Sequence, residues 1–233
     1  MNPRDTLARA LAQHQGGRLT QDEALYHEVL RAVPEHPDAL RLLGVLAAQS
    51  GRHDAAVGLI ERAIAQAPDV AEYRASLGSS LRALGRLDEA AAALKAALAL
   101  RDDLAEAHNT LGMVRREQGL ARDAEAAFRR TLTFAPNAAE VHNNLGNALR
   151  DQGRVGEAVA CYDRALALRP DYADASFNRA EALRRVIPGW HFVMLADDAR
   201  NAAFEEAITR AVTPDAHVLD IGTGSGLLAM MAA

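Results

Sequence analysis

Leu43, Leu77, Leu111 and Leu145 stand 34 residues apart, and Ala56, Ala90, Ala124 and Ala158 keep the same interval. Small and turn-forming residues repeat in phase with these apolar positions. Gly17, Gly51, Gly85, Gly119 and Gly153 form one register and Gly44, Gly78, Gly112 and Gly146 a second; Pro34, Pro68, Pro136 and Pro170 form a third, with Asp102 where a proline is missing. Three registers in phase mark an internal repeat. Each period predicts a helix through the Leu-Gly pair, a tight turn at the first glycine set, and a second helix ended near the proline.

After Val186 the period fails, and Pro188 and Gly189 mark a boundary. Residues 196–211 read as an amphipathic helix, Pro214 and Asp215 as a turn, and 217–221 as a short buried strand. Gly222 to Gly226 follow as a glycine turn, and "LLAMMAA" opens a further helix.

The repeat resembles the tetratricopeptide repeat: Leu-Gly in the first helix, a small residue early in the second, an aromatic four residues later and a closing proline. Tyr26, Ile60, Leu94, Phe128 and Tyr162 occupy the aromatic place, Leu40, Arg74, His108 and His142 replace the family's early Trp, and repeat one has Arg9 and Ala10 instead of Leu-Gly. The resemblance implies an all-α solenoid over residues 3–186. Its repeats are 3–36, 37–70, 71–104, 105–138 and 139–172, and a polar capping helix with Arg179 in the Leu place spans 173–186. In such a stack the first helices line a concave face that holds a peptide or another protein.

In the family, positions farther along the first helices project into that groove. Here they are Asn109, Asn143 and Asn147, with Arg82, Arg116, Arg150 and Arg184 at the repeat period. Asn offers a donor and an acceptor to an extended backbone, and Arg forks onto carboxylates. The arginines either contact ligand, or are solvated or paired with Glu and Asp of the next repeat. A second ladder, Asp38, Glu72, Glu106, Glu140 and Asp174, follows Asp69, Asp103, Asn137 and Asp171 by three residues from its second member on. That spacing predicts an N-cap with an N3 carboxylate rather than a ligand site. The Lys-rich carboxylate clamp of some family members is not reproduced.

"VLDIGTGSG", a strand running into a glycine turn, resembles motif I of class I S-adenosylmethionine-dependent methyltransferases. Upstream, "HFVMLADDARN" resembles the segment preceding that motif in protein arginine methyltransferases, a group that includes members with N-terminal tetratricopeptide repeats. The resemblance implies that Arg200 pairs with the cofactor carboxylate, that His191 and Met194 line the cofactor and acceptor site, and that Gly222 approaches the methionine moiety. Gly224 and Gly226 complete the turn and Asp220 orients it. Residues 187–233 are thus expected to be the start of a Rossmann-like α/β domain, cut after motif I.

The acidic residue that would hold the ribose and the glutamate pair that would grip a guanidinium are not among these 233 residues. The chain alone is therefore expected to have no catalytic residues and no tight cofactor binding, with S-adenosylmethionine belonging to the intact protein. Two other readings stay open: a non-enzymatic scaffold with a vestigial motif, and a methyltransferase with a different acceptor.

Composition narrows the partners. Arg and Lys number 26 against 31 Asp and Glu, a net charge of −5, so there is no general pull toward nucleic acid or anionic membrane. Lys95 is the only lysine, and Cys161 the only cysteine, expected as a packing residue. No intramolecular disulfide or multi-Cys zinc site can form, histidine spacing suggests no metal, no segment approaches ~18 uncharged apolar residues, and the polar N-terminal stretch around Asp5 is not expected to act as a signal peptide. The expected setting is cytoplasmic, with self-association through the repeat ends or the edge of the predicted C-terminal strand.

Overall fold

A computed structural model describes residues 19–186. These residues form ten helices: α1 Leu19–Ala32, α2 Pro37–Gln49, α3 His53–Gln66, α4 Ala71–Ala83, α5 Leu87–Leu100, α6 Ala105–Glu117, α7 Ala121–Phe134, α8 Ala139–Asp151, α9 Val155–Leu168 and α10 Ala173–Val186. The chain divides into two compact units, residues 1–178 and 179–233, the boundary falling inside α10. Helices α1 to α9 lie wholly within the first unit. The predicted strand at 217–221 and the glycine turn after it lie outside the described residues, as do Gly17 and the first helix of repeat one.

Even-numbered helices α2, α4, α6 and α8 are the first helices of repeats two to five; α3, α5, α7 and α9 are the second. From α1 to α9 each helix packs against its sequence neighbours, and first helices of consecutive repeats also touch: α2 with α4, α4 with α6, α6 with α8. The first helices therefore lie on the inner, more crowded side of the stack.

The two glycine registers do different work. Gly51, Gly85, Gly119 and Gly153 have φ of 73 to 77°, a left-handed conformation that a Cβ disfavours. At each, two bonds close the preceding helix. Gly85 N–H donates to Arg82 O at 2.9 Å and Arg86 N–H to Leu81 O at 3.0 Å, with matching pairs at the other three. The second register is a matter of space. A Cβ built on Gly44, Gly78, Gly112 or Gly146 would come within 2.5–2.7 Å of the side chain of Ile60, Leu94, Phe128 or Tyr162. First and second helix thus approach until the large residue of one sits on the bare backbone of the other. Those large residues, with Tyr26 in the same place of repeat one, are fully buried, as are Ala56, Ala90, Ala124 and Ala158. The core crosses repeat boundaries: Val57, Leu81, Leu94, Ala107 and Val114 form one cluster drawn from α3 to α6.

Second helices end where Ala67, Arg101, Ala135 and Arg169 leave helical geometry, with φ between −132 and −148°. Three of these precede a proline, which disfavours the α conformation before it. Arg101 precedes Asp102 and is held instead by Glu72, 2.5 Å from its Nη1.

One expectation is corrected. Asp69, Asp103 and Asn137 do not cap: the helices begin one residue later than that spacing needs, the N-cap places are held by Val70, Leu104 and Ala138, and none makes a side-chain cap bond. The acids that follow stand in the first turn and tie helices together. Asp38 Oδ1 accepts from the Tyr73 hydroxyl at 2.7 Å, and Glu72 and Glu140 pair with Arg101 and Arg169 at the far end of their own repeats.

Candidate functional site

The inner face is built by rungs linking first helices of consecutive repeats. Arg82 donates from Nε and Nη2 to Glu117 Oε1 at 2.8 and 2.6 Å, and Arg116 donates from Nε to Asp151 Oδ2 at 2.7 Å. Asn144 Nδ2 reaches Asn109 Oδ1 at 3.5 Å, and Asn178 Nδ2 donates to Asn143 Oδ1 at 2.9 Å. Asn178 also accepts from Arg150 Nη1 at 3.3 Å. Each of the rungs joining first helices at equivalent places spans 35 residues, one more than the sequence period, because stacking offsets each repeat by one position against the next.

Arg82, Asn109, Arg116, Asn143 and Arg150 are thereby brought together along one face. Arg82 and Arg116 pair with acids of the next repeat, the second of the two arrangements the sequence left open. These pairs are a third or more exposed, so each adds at most about 1 kcal/mol to stability. Each Arg spends only part of its five-donor fork on its partner, so the row offers paired charges and open N–H groups. Asn143 and Asn147 are both buried, 5% and 8% exposed, but they differ in partner: Asn143 Oδ1 accepts from Asn178 of the next first helix, whereas Asn147 Oδ1 accepts the Tyr162 hydroxyl of its own repeat at 2.9 Å. Arg184 lies in the second unit, 70% exposed at its side chain, and pairs with Glu181 on its own helix at 2.8 Å.

Sequence reasoning did not single out Glu117, Asp151, Asn144 and Asn178, although each pair repeats at 34 residues. It also gave no role to the residues replacing the family Trp. Arg74 Nη1 donates to the Pro68 carbonyl, and the Nε2 atoms of His108 and His142 lie 2.9 Å from the carbonyls of Asp102 and Pro136. A polar side chain six residues on thus clasps the loop between repeats.

Two further titratable groups away from this face are shifted by their surroundings. The Arg130 guanidinium holds the Asp102 carboxyl below the usual range, and burial pushes the Cys161 thiol up. Among the described residues no three His, Cys, Asp or Glu side chains cluster as metal ligands, and no helix is long and apolar enough to cross a membrane. His191, Met194, Arg200, Asp220, Gly222, Gly224 and Gly226 lie outside the described residues.

A family profile described as "Tetratricopeptide repeat" matches residues 7–71, and one described as "TPR repeat" matches 78–119 and 146–185. Among solved structures, PilW, titled a widely conserved type IV pilus biogenesis factor, superposes with a TM-score of 0.72 at 22% identity, over 78% of this chain and 86% of its own. YrrB, titled a TPR protein with an unusual peptide-binding site, gives 0.61 at 20% identity over 75% and 90%. Both likenesses concern the fold. An arginine N(omega)-methyltransferase of Streptomyces achromogenes subsp. streptozoticus is 58% identical over 50 residues, 22% of this chain and 14% of that protein. The matched stretch thus spans about a seventh of that relative's length.

Proposed function

The chain belongs to the tetratricopeptide-repeat family, and from that premise we propose that it is a protein-recruiting module whose inner face holds an extended segment of a partner protein. The observation that carries this reading is the row of guanidinium and amide groups from Arg82 to Asn178, which offers donors and acceptors along one face at the spacing of the repeats. A chain in extended conformation presents the complementary groups. The test is a peptide array incubated with the full chain. Sequences retained by the wild type and lost by Arg116→Ala and Asn109→Leu support the reading; retention unchanged by both overturns it.

We further propose that the recruited partner is a substrate for S-adenosylmethionine-dependent methylation of arginine, with residues 187–233 as the start of the catalytic domain. Support comes from "HFVMLADDARN" and "VLDIGTGSG" in that order, and from the short, highly identical match to an arginine methyltransferase. In this reading Arg200 binds the cofactor carboxylate and the turn from Gly222 to Gly226 faces its methionine part, while residues 3–186 recruit. Reading the coding frame past codon 233 tests it. A frame that runs on through an acid-ended second strand and a glutamate pair supports an arginine methyltransferase. A frame with the strand but no glutamate pair moves the reading to another acceptor, and a stop directly after Ala233 leaves a binding scaffold.

A further inference from the structure

The outer face carries a cleft that the inner-face reading does not use. Between α5 and α7, the second helices of repeats three and four, a cleft of about 320 Å³ opens over α6. Leu98, Leu111 and Ala127 make its walls mostly apolar, and Lys95, Arg115 and Asp123 stand among the lining residues.

Its origin is legible by comparison with the neighbouring repeats. Arg115 occupies the place that holds Leu81 one period earlier and Leu149 one period later, and both leucines are buried, 3% and 1% exposed. A leucine there closes the joint between helices. Arg115 instead donates to Gln118 Oε1 at 2.8 Å, a neutral partner, and the joint stays open. Lys95 occupies the place of Glu61 and of Arg129, and Arg129 is paired with Glu125 at 2.8 Å. Among the described residues neither Lys95 nor Arg115 is paired with a carboxylate, whereas Arg130 at the same cleft is committed to Asp102. The joint between repeats three and four therefore combines an apolar hole with two cations free to take an anion, against the carboxylate of Asp123.

We propose that this cleft is a second docking site, taking one apolar side chain of a partner protein whose flanking residues carry carboxylates. The hole removes the apolar group from water, and Lys95 and Arg115 select the acidic flanks, where a basic segment would be repelled. The site belongs to the outer face and stands or falls separately from recruitment by the inner one.

The test titrates the ¹⁵N-labelled full chain with an N-acetylated, C-amidated peptide of sequence EDLDE, with EDSDE and KKLKK as controls. Amide shifts at Leu98, Leu111 and Ala127, absent with both controls, are expected. Lys95→Glu should weaken binding about fivefold. Arg115→Leu restores the residue the flanking repeats carry, so the fold is kept, and filling the cleft should weaken binding at least about tenfold. Arg116→Ala, on the inner face, should change nothing. No binding, equal binding of EDSDE, or affinity unchanged in Arg115→Leu would each overturn the site, and shifts confined to Asn109 and Asn143 would reassign the peptide to the inner face.

Discussion

The Tyr162 hydroxyl donates a 2.9 Å hydrogen bond to Asn147 Oδ1 across the joint between α8 and α9, both residues being buried. That bond places Asn147 in the core, although its first-helix position reads as a groove residue. Removing the acceptor leaves a buried hydroxyl without its partner, so Asn147→Ala should cost about 1–3 kcal/mol in urea unfolding. In Tyr162→Phe, which has no hydroxyl to strand, adding Asn147→Ala should cost clearly less. Equal losses in both backgrounds would show that the bond contributes nothing.

Two helix-interior glycines should respond to alanine with opposite sign. Helix propensity alone favours Ala over Gly by about 1 kcal/mol. At Gly58 a Cβ meets nothing within 4 Å, so Gly58→Ala should raise stability by up to that amount. At Gly146 the Cβ would lie 2.5 Å from Tyr162 Cε1, and overpacking of this kind costs about 1–3 kcal/mol, so Gly146→Ala should lower stability despite its better propensity. Stabilisation of both would mean that α8 and α9 separate at little cost.

The repeat turns supply a third contrast. Gly119 has φ 77° and open space around it, so only backbone conformation opposes a side chain there. Gly119→Ala should cost about 1–2 kcal/mol, the usual penalty of the left-handed region for an L-residue, and Gly119→Asn less, because Asn tolerates that region. Thermal unfolding of the two variants separates strain from packing; equal losses would point to lost contacts instead.

The phase of Gly51 with Gly85, and of Gly44 with Gly78, carried the fold in the sequence, because one register demands a left-handed turn and the other a bare helix surface. What the period did not carry is which residue meets which across repeats. Arg82 meets Glu117 and Asn143 meets Asn178 at an offset of 35, set by the rotation of one helix pair on the next rather than by spacing along the chain. The capping expectation failed for a related reason: Asp69 and Glu72 have the right separation, but Val70 holds the N-cap place and the helix begins at Ala71, a one-residue shift that moves both out of capping geometry. The same one-residue sensitivity explains Asn147. It follows Gly146 directly, and a small rotation of α8 decides whether its amide faces the groove or the tyrosine beneath.

The acid limb of stability should run through Glu125. This buried carboxylate on α7 accepts from Arg154 Nη1 at 2.7 and 2.8 Å, from Gln152 Nε2 at 2.8 Å and from Arg129 Nη2 at 2.8 Å. Burial alone pushes its pKa up, but the Gln152 and Arg154 donors with the nearby Arg129 charge outweigh it and hold the value below the usual carboxylate range. A carboxyl depressed in the folded state contributes stability that is fully present above its unfolded pKa, about 4.3, and is lost as pH falls through the lower folded value. Glu125→Gln should therefore be less stable than wild type at pH 7, and the difference should shrink below about pH 4 as the wild-type carboxyl protonates. Arg154 also pairs with Glu157 at 2.6 Å, so Glu157→Gln serves as the control for that exposed arm and should move the urea midpoint far less. A wild-type to Glu125→Gln difference that stays constant down to about pH 3 would mean that this carboxylate is not depressed and that the network at the α7–α9 joint is held by its amides alone.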